Sequence, residues 1–536
     1  MRANLVLYNG VIYTMDRSLP RAPAVAIAGN RVLALGDDEA MRELLAPRGE
    51  AVDLEGRAVV PGFVDSHIHF VEYALRLRRI DLTEVPTLDE ALARVAVRAA
   101  QTPPGEWLLG GGWNRNLWSG GAFPTRADLD AVASQHPVAL SSKDGHVIWL
   151  NSQALAQAGI TGQTPDPTGG EIERDAAGEP TGILKEKAVQ LVERAIARPS
   201  METLLAALQE GMANAQRAGL VGIHDCEDEQ AFAAFQVLHR QGKLGLRVLM
   251  HVPAVNLEAA IQLGLRSGYG NDFLRVGGVK IFADGALGAR TAAMIEPYEG
   301  EPDNRGIVVT LPEELRRLVD RAHRSGLSVA VHAIGDAANR AVLDALAAVA
   351  RQPRTAVTPA LPHRIEHVQL LHPADVPRLA ELGVVASMQP IHATSDMEIA
   401  DAHWGARSEW AYAWRTLLQA GTALAFGSDC PVESLDPLRG IHAAVTRRRP
   451  DGSPGEAGWH PAQRLTVAEA VSAYTRGAAY AAGQESVSGS ITRGKLADLV
   501  VLSRDIFTCD PMDILDTEVL ATVLDGRFVY RAAALD

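Results

Sequence analysis

Two histidines, His67 and His69, directly follow an apolar run early in the sequence, Val59-Val-Pro-Gly-Phe-Val-Asp-Ser. Side chains at positions i and i+2 of a strand point to the same side of it. Both imidazoles would therefore enter one cavity at the end of a strand, where neutral histidine nitrogens can bind a divalent metal. An HxH motif alone is a weak signal, so the prediction depends on further ligands elsewhere in the chain.

Four more potential ligands lie at or near the ends of later apolar runs, namely Lys280, His332, His367 and Asp429. Any one of them alone would be better explained as a core histidine or a helix-capping aspartate. Their repetition at the ends of several strands makes coincidence improbable. Together with His67 and His69 they predict a metal site formed by several strands.

The predicted chemistry of this site is hydrolysis. A bound metal lowers the pKa of water toward about 7 and polarises a carbonyl group under attack. Asp429 could accept the proton of the attacking water and deliver it to a departing amine, as a general base and then a general acid. His146 and His392 are candidates to hydrogen-bond the substrate carbonyl or the oxyanion, and the alternative for both is an ordinary loop histidine.

The elements that must position these residues are apolar strands alternating with alanine-rich helical stretches, the pattern of parallel βα units. Eight strands are predicted, at 62–69, 221–226, 246–252, 276–283, 328–334, 363–370, 384–389 and 424–429. This number predicts a (β/α)8 TIM barrel over 61–485, with its ligands at the carboxyl ends of the strands. Residues 81–215 are too long for one crossover and are predicted to form an inserted subdomain or lid. Short β runs at 1–60 and 486–536 predict one β-sandwich domain built from both termini.

Aromatic residues are scarce in the chain but concentrate in the predicted insertion. One interpretation is that they form the core of that subdomain. The other is that Trp113 or Trp118 caps an apolar group of the substrate. Phe282 and Gln389, beside predicted ligands, are two further candidates for substrate contacts.

Composition excludes several classes of protein. The 536 residues are 47% hydrophobic and 22% charged, which is typical of a globular chain and not of a disordered one. A net charge of −14 argues against a nucleic-acid partner. The three cysteines form no CxxC motif, which excludes a cysteine zinc cluster or a disulfide framework. We find no signal peptide or membrane span and expect a cytoplasmic protein.

Longer motifs resemble one family. The HxH pair, the fourth-strand lysine, the two later histidines and the eighth-strand aspartate resemble the amidohydrolase superfamily of metal-dependent hydrolases. Five strings resemble its YtcJ-like branch, which includes N-substituted formamide deformylases: Gly111-Gly-Trp-Asn, Asp144-Gly-His-Val-Ile-Trp-Leu-Asn-Ser, Val279-Lys-Ile-Phe-Ala-Asp-Gly-Ala-Leu-Gly, Gln389-Pro-Ile-His and Ala413-Trp-Arg. The resemblance covers essentially the whole chain.

This resemblance implies that Lys280 is carboxylated and bridges two metals. A lysine among apolar neighbours is desolvated, which lowers its pKa and leaves a neutral amine able to react with carbon dioxide. The alternative is an unmodified lysine paired with a carboxylate such as Asp284. Histidine and carboxylate ligands suit zinc, bound as one or two ions, although iron, manganese and nickel also occupy such sites.

The sequence therefore predicts a metal-dependent hydrolase of carbon–nitrogen bonds other than peptide bonds. No cluster of Arg or Lys at the strand ends would grip a phosphate or dicarboxylate, which favours a neutral small-molecule amide such as an N-substituted formamide. Alternatives are hydrolysis of cyclic amides, carbamates or N-acyl amino acids, lyase or isomerase chemistry, and an inactive scaffold of the same fold. A homodimer is compatible with the sequence, which does not determine the oligomeric state.

Overall fold

The computed structural model describes residues 2–119, 121–143, 147–167, 169–196, 198–353 and 355–535. The chain divides into two compact units, one formed by Met1–Tyr73 and Leu208–Asp536 and the other by Ala74–Ala207. Most of the predicted insertion, 81–215, falls within the second unit. Its role as a lid stays a prediction.

Within the described residues of the first unit, eight parallel strands form one sheet and follow each other in chain order. They are Phe63–Ile68 (β1), Leu220–Asp225 (β2), Arg247–Pro253 (β3), Leu274–Phe282 (β4), Val329–Ala333 (β5), Arg364–His367 (β6), Val385–Met388 (β7) and Leu424–Phe426 (β8). Most residues of these strands are buried, as expected when both faces of a parallel sheet are covered. The arrangement is that of the predicted TIM barrel.

The barrel closes between β8 and β1 through the residues that follow β8. The N–H of Asp429 donates to the carbonyl oxygen of His67 at 2.7 Å, and the N–H of Ser428 donates to Asp65 Oδ1 at 3.0 Å. A Cβ atom at Gly427 would lie 2.4 Å from the backbone nitrogen of His67, so this approach requires glycine. Closure therefore brings Asp429 next to the HxH pair.

Helices connect the barrel strands. They include Met201–Arg217, Glu229–Arg240, Leu257–Gln262, Pro312–Arg324, Asp336–Ala350, Val376–Glu381, Pro390–Trp404, Trp414–Gln419 and Pro437–Thr446. The helix Pro312–Arg324 illustrates why they form: proline occupies its first turn, Leu315, Val319 and Ala322 form its buried stripe, and acidic and basic residues lie at its amino and carboxyl ends respectively.

The two ends of the chain pair within one sheet. Leu499–Leu502 lies antiparallel to Ala58–Pro61 in a six-stranded sheet that also contains Val11–Tyr13, Arg21–Ala22, Val519–Leu524 and Arg527–Arg531. A four-stranded sheet is formed by Ala3–Tyr8, Ala24–Ala28, Arg31–Gly36 and Leu45–Asp53. Side chains from both sheets share one hydrophobic core. The β-sandwich classification itself stays a prediction.

The second unit has a sheet of its own, which the sequence analysis did not anticipate. Its strands are Ile80–Asp81, Leu108–Trp113, Val138–Ser142, Val147–Leu150, Pro180–Glu186 and Gly170–Arg174, and its helices include Leu88–Gln101, Arg126–Ala133 and Ser152–Gln157. Trp113, Trp118 and Trp149 lie in its core. Across the described part of the chain, no helix has the length and apolar character needed to cross a membrane.

Candidate active site

The HxH pair lies at the carboxyl end of β1. His67 is fully buried, whereas the side chain of His69, one residue beyond the strand, is partly exposed. The centroids of the two rings are 5.7 Å apart. The pair thus offers one nitrogen ligand deep in the barrel and one nearer its rim.

The other predicted ligands gather around His67. Its Nε2 lies 3.2 Å from Lys280 Nζ and 3.4 Å from Asp429 Oδ1, and the same Asp429 oxygen lies 3.4 Å from His69 Nε2. The ring of His367 is 4.8 Å from that of His67 and 4.5 Å from that of His332. The structure thus brings all six residues into one cluster.

Two of these residues take an unusual backbone conformation. His367 has φ 74° and Asp429 has φ 58°, both in the left-handed region that non-glycine residues rarely adopt. Regular pleating would point successive residues of β6 to opposite sides, yet Glu366 and His367 both lie beside His67. The left-handed conformation at the end of β6 accounts for this break in the alternation.

Glu366, which the sequence analysis missed, orients His67. Its Oε2 lies 2.6 Å from His67 Nδ1, and neither side chain is exposed. A carboxylate that accepts Nδ1–H fixes the tautomer and leaves Nε2 available as a ligand. Local spacing gave no signal for it, because regular alternation along β6 places Glu366 on the opposite face from His367.

Asp65 is a second buried carboxylate that the sequence analysis missed. Its Oδ1 accepts the backbone N–H groups of His67 and Ser428, each at 3.0 Å, and the Ser428 hydroxyl donates to Oδ2. Burial raises the pKa of Asp65 to about 7. Asp65 bonds to His67 on β1 and to Ser428 in the segment after β8, so it fixes the HxH segment relative to Asp429.

The histidines of the cluster are in the protonation state that binds metals. Burial, assisted by the nearby Lys280 ammonium, lowers the pKa of His67 and of His332 to about 4. Burial and the neighbouring His332 lower the pKa of His367 well below its usual value. These imidazoles are therefore neutral near pH 7, the form that binds metals.

Asp429 is ionised in the same cluster. Burial alone would raise its pKa, but hydrogen bonds from His392 and His69 and the adjacent His67 hold it well below the usual value. His67, His367 and Asp429 can each offer one ligand atom, and these three atoms lie within 4.8 Å of one another. Buried neutral nitrogens around an ionised carboxylate are a donor set that fits a divalent transition metal.

His392 contacts Asp429 in this structure, and its candidate hydrogen bond to a substrate carbonyl or oxyanion stays a prediction. Its Nε2 lies 3.3 Å from Asp429 Oδ2 and its Nδ1 lies 3.7 Å from Glu433 Oε1. Burial would lower its pKa, but hydrogen bonds to these two carboxylates outweigh that effect and raise it to about 10. His392 is therefore an imidazolium that stabilises the ionised form of Asp429.

Lys280 lies in the interior of the barrel and is almost completely buried. Its Nζ is 5.0 Å from the ring centroid of Phe282. Among the described residues it forms no ion pair with Asp284, the alternative partner considered above, whose oxygens accept backbone N–H groups of Ala293, Ile334 and Gly335 at 2.8–3.0 Å. The amine instead contacts the His67 ring, with Nζ 3.2 Å from Nε2.

The predicted substrate contacts have different outcomes. Trp113 and Trp118 are only 2% and 6% exposed, and their indole N–H groups donate to the carbonyls of Leu140 and Val85. Neither indole face is free for a ligand, so the structure favours a core role over substrate capping. Gln389 is buried and its Oε1 lies 2.9 Å from His367 Nδ1, so it orients a candidate ligand.

Phe282 and His146 complete the predicted set. The ring of Phe282 is 45% exposed and lies 5.2 Å from the ring of His332. It therefore presents an apolar surface beside the cluster, as a substrate contact requires. His146 lies outside the described residues.

Comparison with known proteins agrees with this geometry. Residues 50–530 match the amidohydrolase family. A putative amidohydrolase, YtcJ, from Bacillus subtilis is 36% identical over 98% of this chain and 99% of its own. An N-substituted formamide deformylase from Arthrobacter pascens is 31% identical over 98% of each chain.

A solved structure is also similar. The crystal structure of an uncharacterized metal-dependent hydrolase from Pyrococcus furiosus superposes with a TM-score of 0.78 at 31% identity, covering 94% of this chain and all of that one. The similarity thus extends over nearly the whole chain.

Proposed function

This chain belongs to the amidohydrolase family of metal-dependent hydrolases, which act on carbon–nitrogen bonds other than peptide bonds, and we propose that its substrate is a neutral amide of the N-substituted formamide type. The observation that carries the proposal is the cluster of neutral histidines around the ionised Asp429. The deformylase relative supports the choice of substrate class.

Six residues of the chain would hold the metal, which we propose to be one or two zinc ions: His67, His69, Lys280, His332, His367 and Asp429. A divalent ion at this position supplies an activated water near neutral pH and polarises the substrate carbonyl. We propose that Lys280 takes part as its carbamate, a two-oxygen anion. Its burial and its contact with a histidine in place of a carboxylate support this proposal.

Asp429 is the proposed proton shuttle. Its Oδ1 faces the two histidines of the HxH pair and its Oδ2 faces His392, so the carboxylate reaches both the ligands and a buried cation. The carboxylate can accept a proton from water and return it to the amine that leaves. The His392 imidazolium keeps Asp429 ionised before each turnover and limits the directions in which it can turn.

Paired cations in the segment after β4 are compatible with a neutral substrate. In the segment after β4, Arg290 pairs with Glu301 at 2.5 Å and Arg305 pairs with Glu296 at 3.7 Å. These paired cations are poor candidates for binding the carboxylate of an N-acyl amino acid. The exposed ring of Phe282 instead offers an apolar surface to an N-substituent.

A substrate screen tests the proposal. Zinc-loaded protein is incubated with N-alkyl and N-aryl formamides, N-acyl amino acids, carbamates and cyclic ureas, and the released amine is quantified. We expect the formamides to have the highest kcat/KM. Preference for N-acyl amino acids or cyclic ureas would overturn the substrate assignment, and no hydrolysis across the panel by metal-loaded protein would favour the inactive scaffold.

A further inference from the structure

Arg364 is a buried cation in the interior of the barrel, and only 2% of its side chain is exposed. It is the first residue of β6, yet its guanidinium contacts three other strands. Nη1 lies 2.9 Å from His224 Nδ1 on β2, and Nη2 donates to Ser387 Oγ on β7 at 2.6 Å and to the carbonyl oxygen of Ser66 on β1. The group thus links strands on several sides of the barrel.

The same guanidinium holds Glu366. Nη2 donates to Glu366 Oε2 at 3.0 Å, and Nε lies 2.5 Å from Oε1. Glu366 Oε2 in turn lies 2.6 Å from His67 Nδ1. A continuous chain of contacts therefore runs from Arg364 through Glu366 to a candidate metal ligand.

Chemistry explains why an arginine occupies this position. A buried carboxylate needs a paired cation, because an uncompensated buried charge is strongly destabilising. A guanidinium presents five donors in a rigid planar fork, so one group can bond to a carboxylate, a hydroxyl, a carbonyl and an imidazole at once. Lysine carries the charge but lacks this geometry.

We propose that Arg364 is a positioning residue of the metal centre: it fixes Glu366, which fixes the His67 ring with Nε2 directed toward Lys280 and Asp429. The inference rests on the proposed metal-dependent function. Arg364 acts on the metal through Glu366 and His67 and does not touch the substrate.

Zinc affinity, measured by competition with a chromogenic chelator, tests this role independently of catalysis. Apo-protein is titrated with Zn²⁺ for the wild type, Arg364→Met, Glu366→Gln and the double variant. We expect each single variant to bind Zn²⁺ about 10- to 100-fold more weakly, the range for partners of ligating histidines. Since the two residues act in series, we expect the double variant to be within about three-fold of the weaker single variant.

Arg247→Met is the matched control. Arg247 is also a buried arginine, at the start of β3, and bonds to Asp498 at 2.7 and 3.0 Å. Its removal should lower the unfolding temperature and leave zinc affinity within about three-fold of wild type, because its partners lie outside the cluster. If Arg364→Met does not fold, Arg364→Lys, which keeps the charge, replaces it in the zinc titration. We expect this variant to lose zinc affinity by at least about five-fold.

Two results would overturn the inference: a folded Arg364→Met or Arg364→Lys protein with wild-type zinc affinity, or losses that add fully in the double variant. If wild-type protein itself binds no zinc, iron, manganese or nickel, the proposed function fails instead. The two failures are therefore distinguishable.

Discussion

Replacing Asp429 by asparagine separates proton transfer from metal binding. The variant keeps the size of the side chain and one oxygen acceptor but cannot accept a proton. Asp429 contacts His67, His69 and His392, so its charge influences the whole cluster. Because the four candidate histidine ligands remain, and Glu366 still orients His67, we expect most of the metal to be retained.

The expected loss is in kcat. General acid–base catalysis contributes about 10²- to 10⁴-fold, which corresponds to about 2.7–5.4 kcal/mol of transition-state stabilisation. Steady-state kinetics on the best substrate of the screen, with metal content measured on the same sample, gives both quantities. Asp375→Asn is the control, because Asp375 is a buried carboxylate that bonds to Arg340 and Arg378 and lies outside the cluster.

A metal-loaded Asp429→Asn enzyme with kcat within a few-fold of wild type would refute the proton-shuttle role. His392 would then be the next candidate among the described residues. Loss of activity together with all bound metal would show that Asp429 acts mainly as a ligand.

Three further predictions concern stability and specificity. Trp113→Ala should destabilise the second unit by about 3–5 kcal/mol in urea unfolding, with unchanged KM in the folded fraction; a changed KM without loss of stability would support substrate capping. Phe282→Ala should raise KM for formamides with bulky apolar N-substituents more than for small ones, and equal effects on both would contradict a substrate contact. His363, whose Nδ1 accepts the N–H of Val329, has its pKa lowered by burial to about 3. Folding stabilises the neutral form of His363, so its contribution to stability is present above pH 6.5 and is lost as pH falls toward 3. His363→Gln should therefore reduce the slope of the unfolding free energy against pH by up to about 1.4 kcal/mol per pH unit. An unchanged slope would contradict this role of His363.

Local spacing was sufficient to predict that the candidate ligands meet in one cluster. His67 and His69 follow the i, i+2 rule, and parallel strands bring their carboxyl ends together, so Lys280, His332, His367 and Asp429 could be placed in one site without knowledge of the packing. Buried apolar runs likewise predicted the barrel.

The residues that orient the ligands could not be found in this way. Glu366 contacts His67 across 299 positions of sequence, and regular pleating places it on the opposite side of β6 from His367. The left-handed backbone conformation of His367 lets both side chains lie beside His67, but a histidine at this position does not predict a positive φ. Trp113 could be identified from the sequence, but its role could not, because an aromatic residue in an insertion suits a core and a binding pocket equally well.

The most direct test of the account is metal content and amide hydrolysis on one preparation, before and after chelation and after adding zinc back. We predict about one to two equivalents of a divalent transition metal per chain, loss of formamide hydrolysis with the metal, and recovery with zinc. The His67→Ala/His69→Ala variant should lack both metal and activity. Full hydrolytic activity in metal-free protein, or in that double variant, would contradict the account.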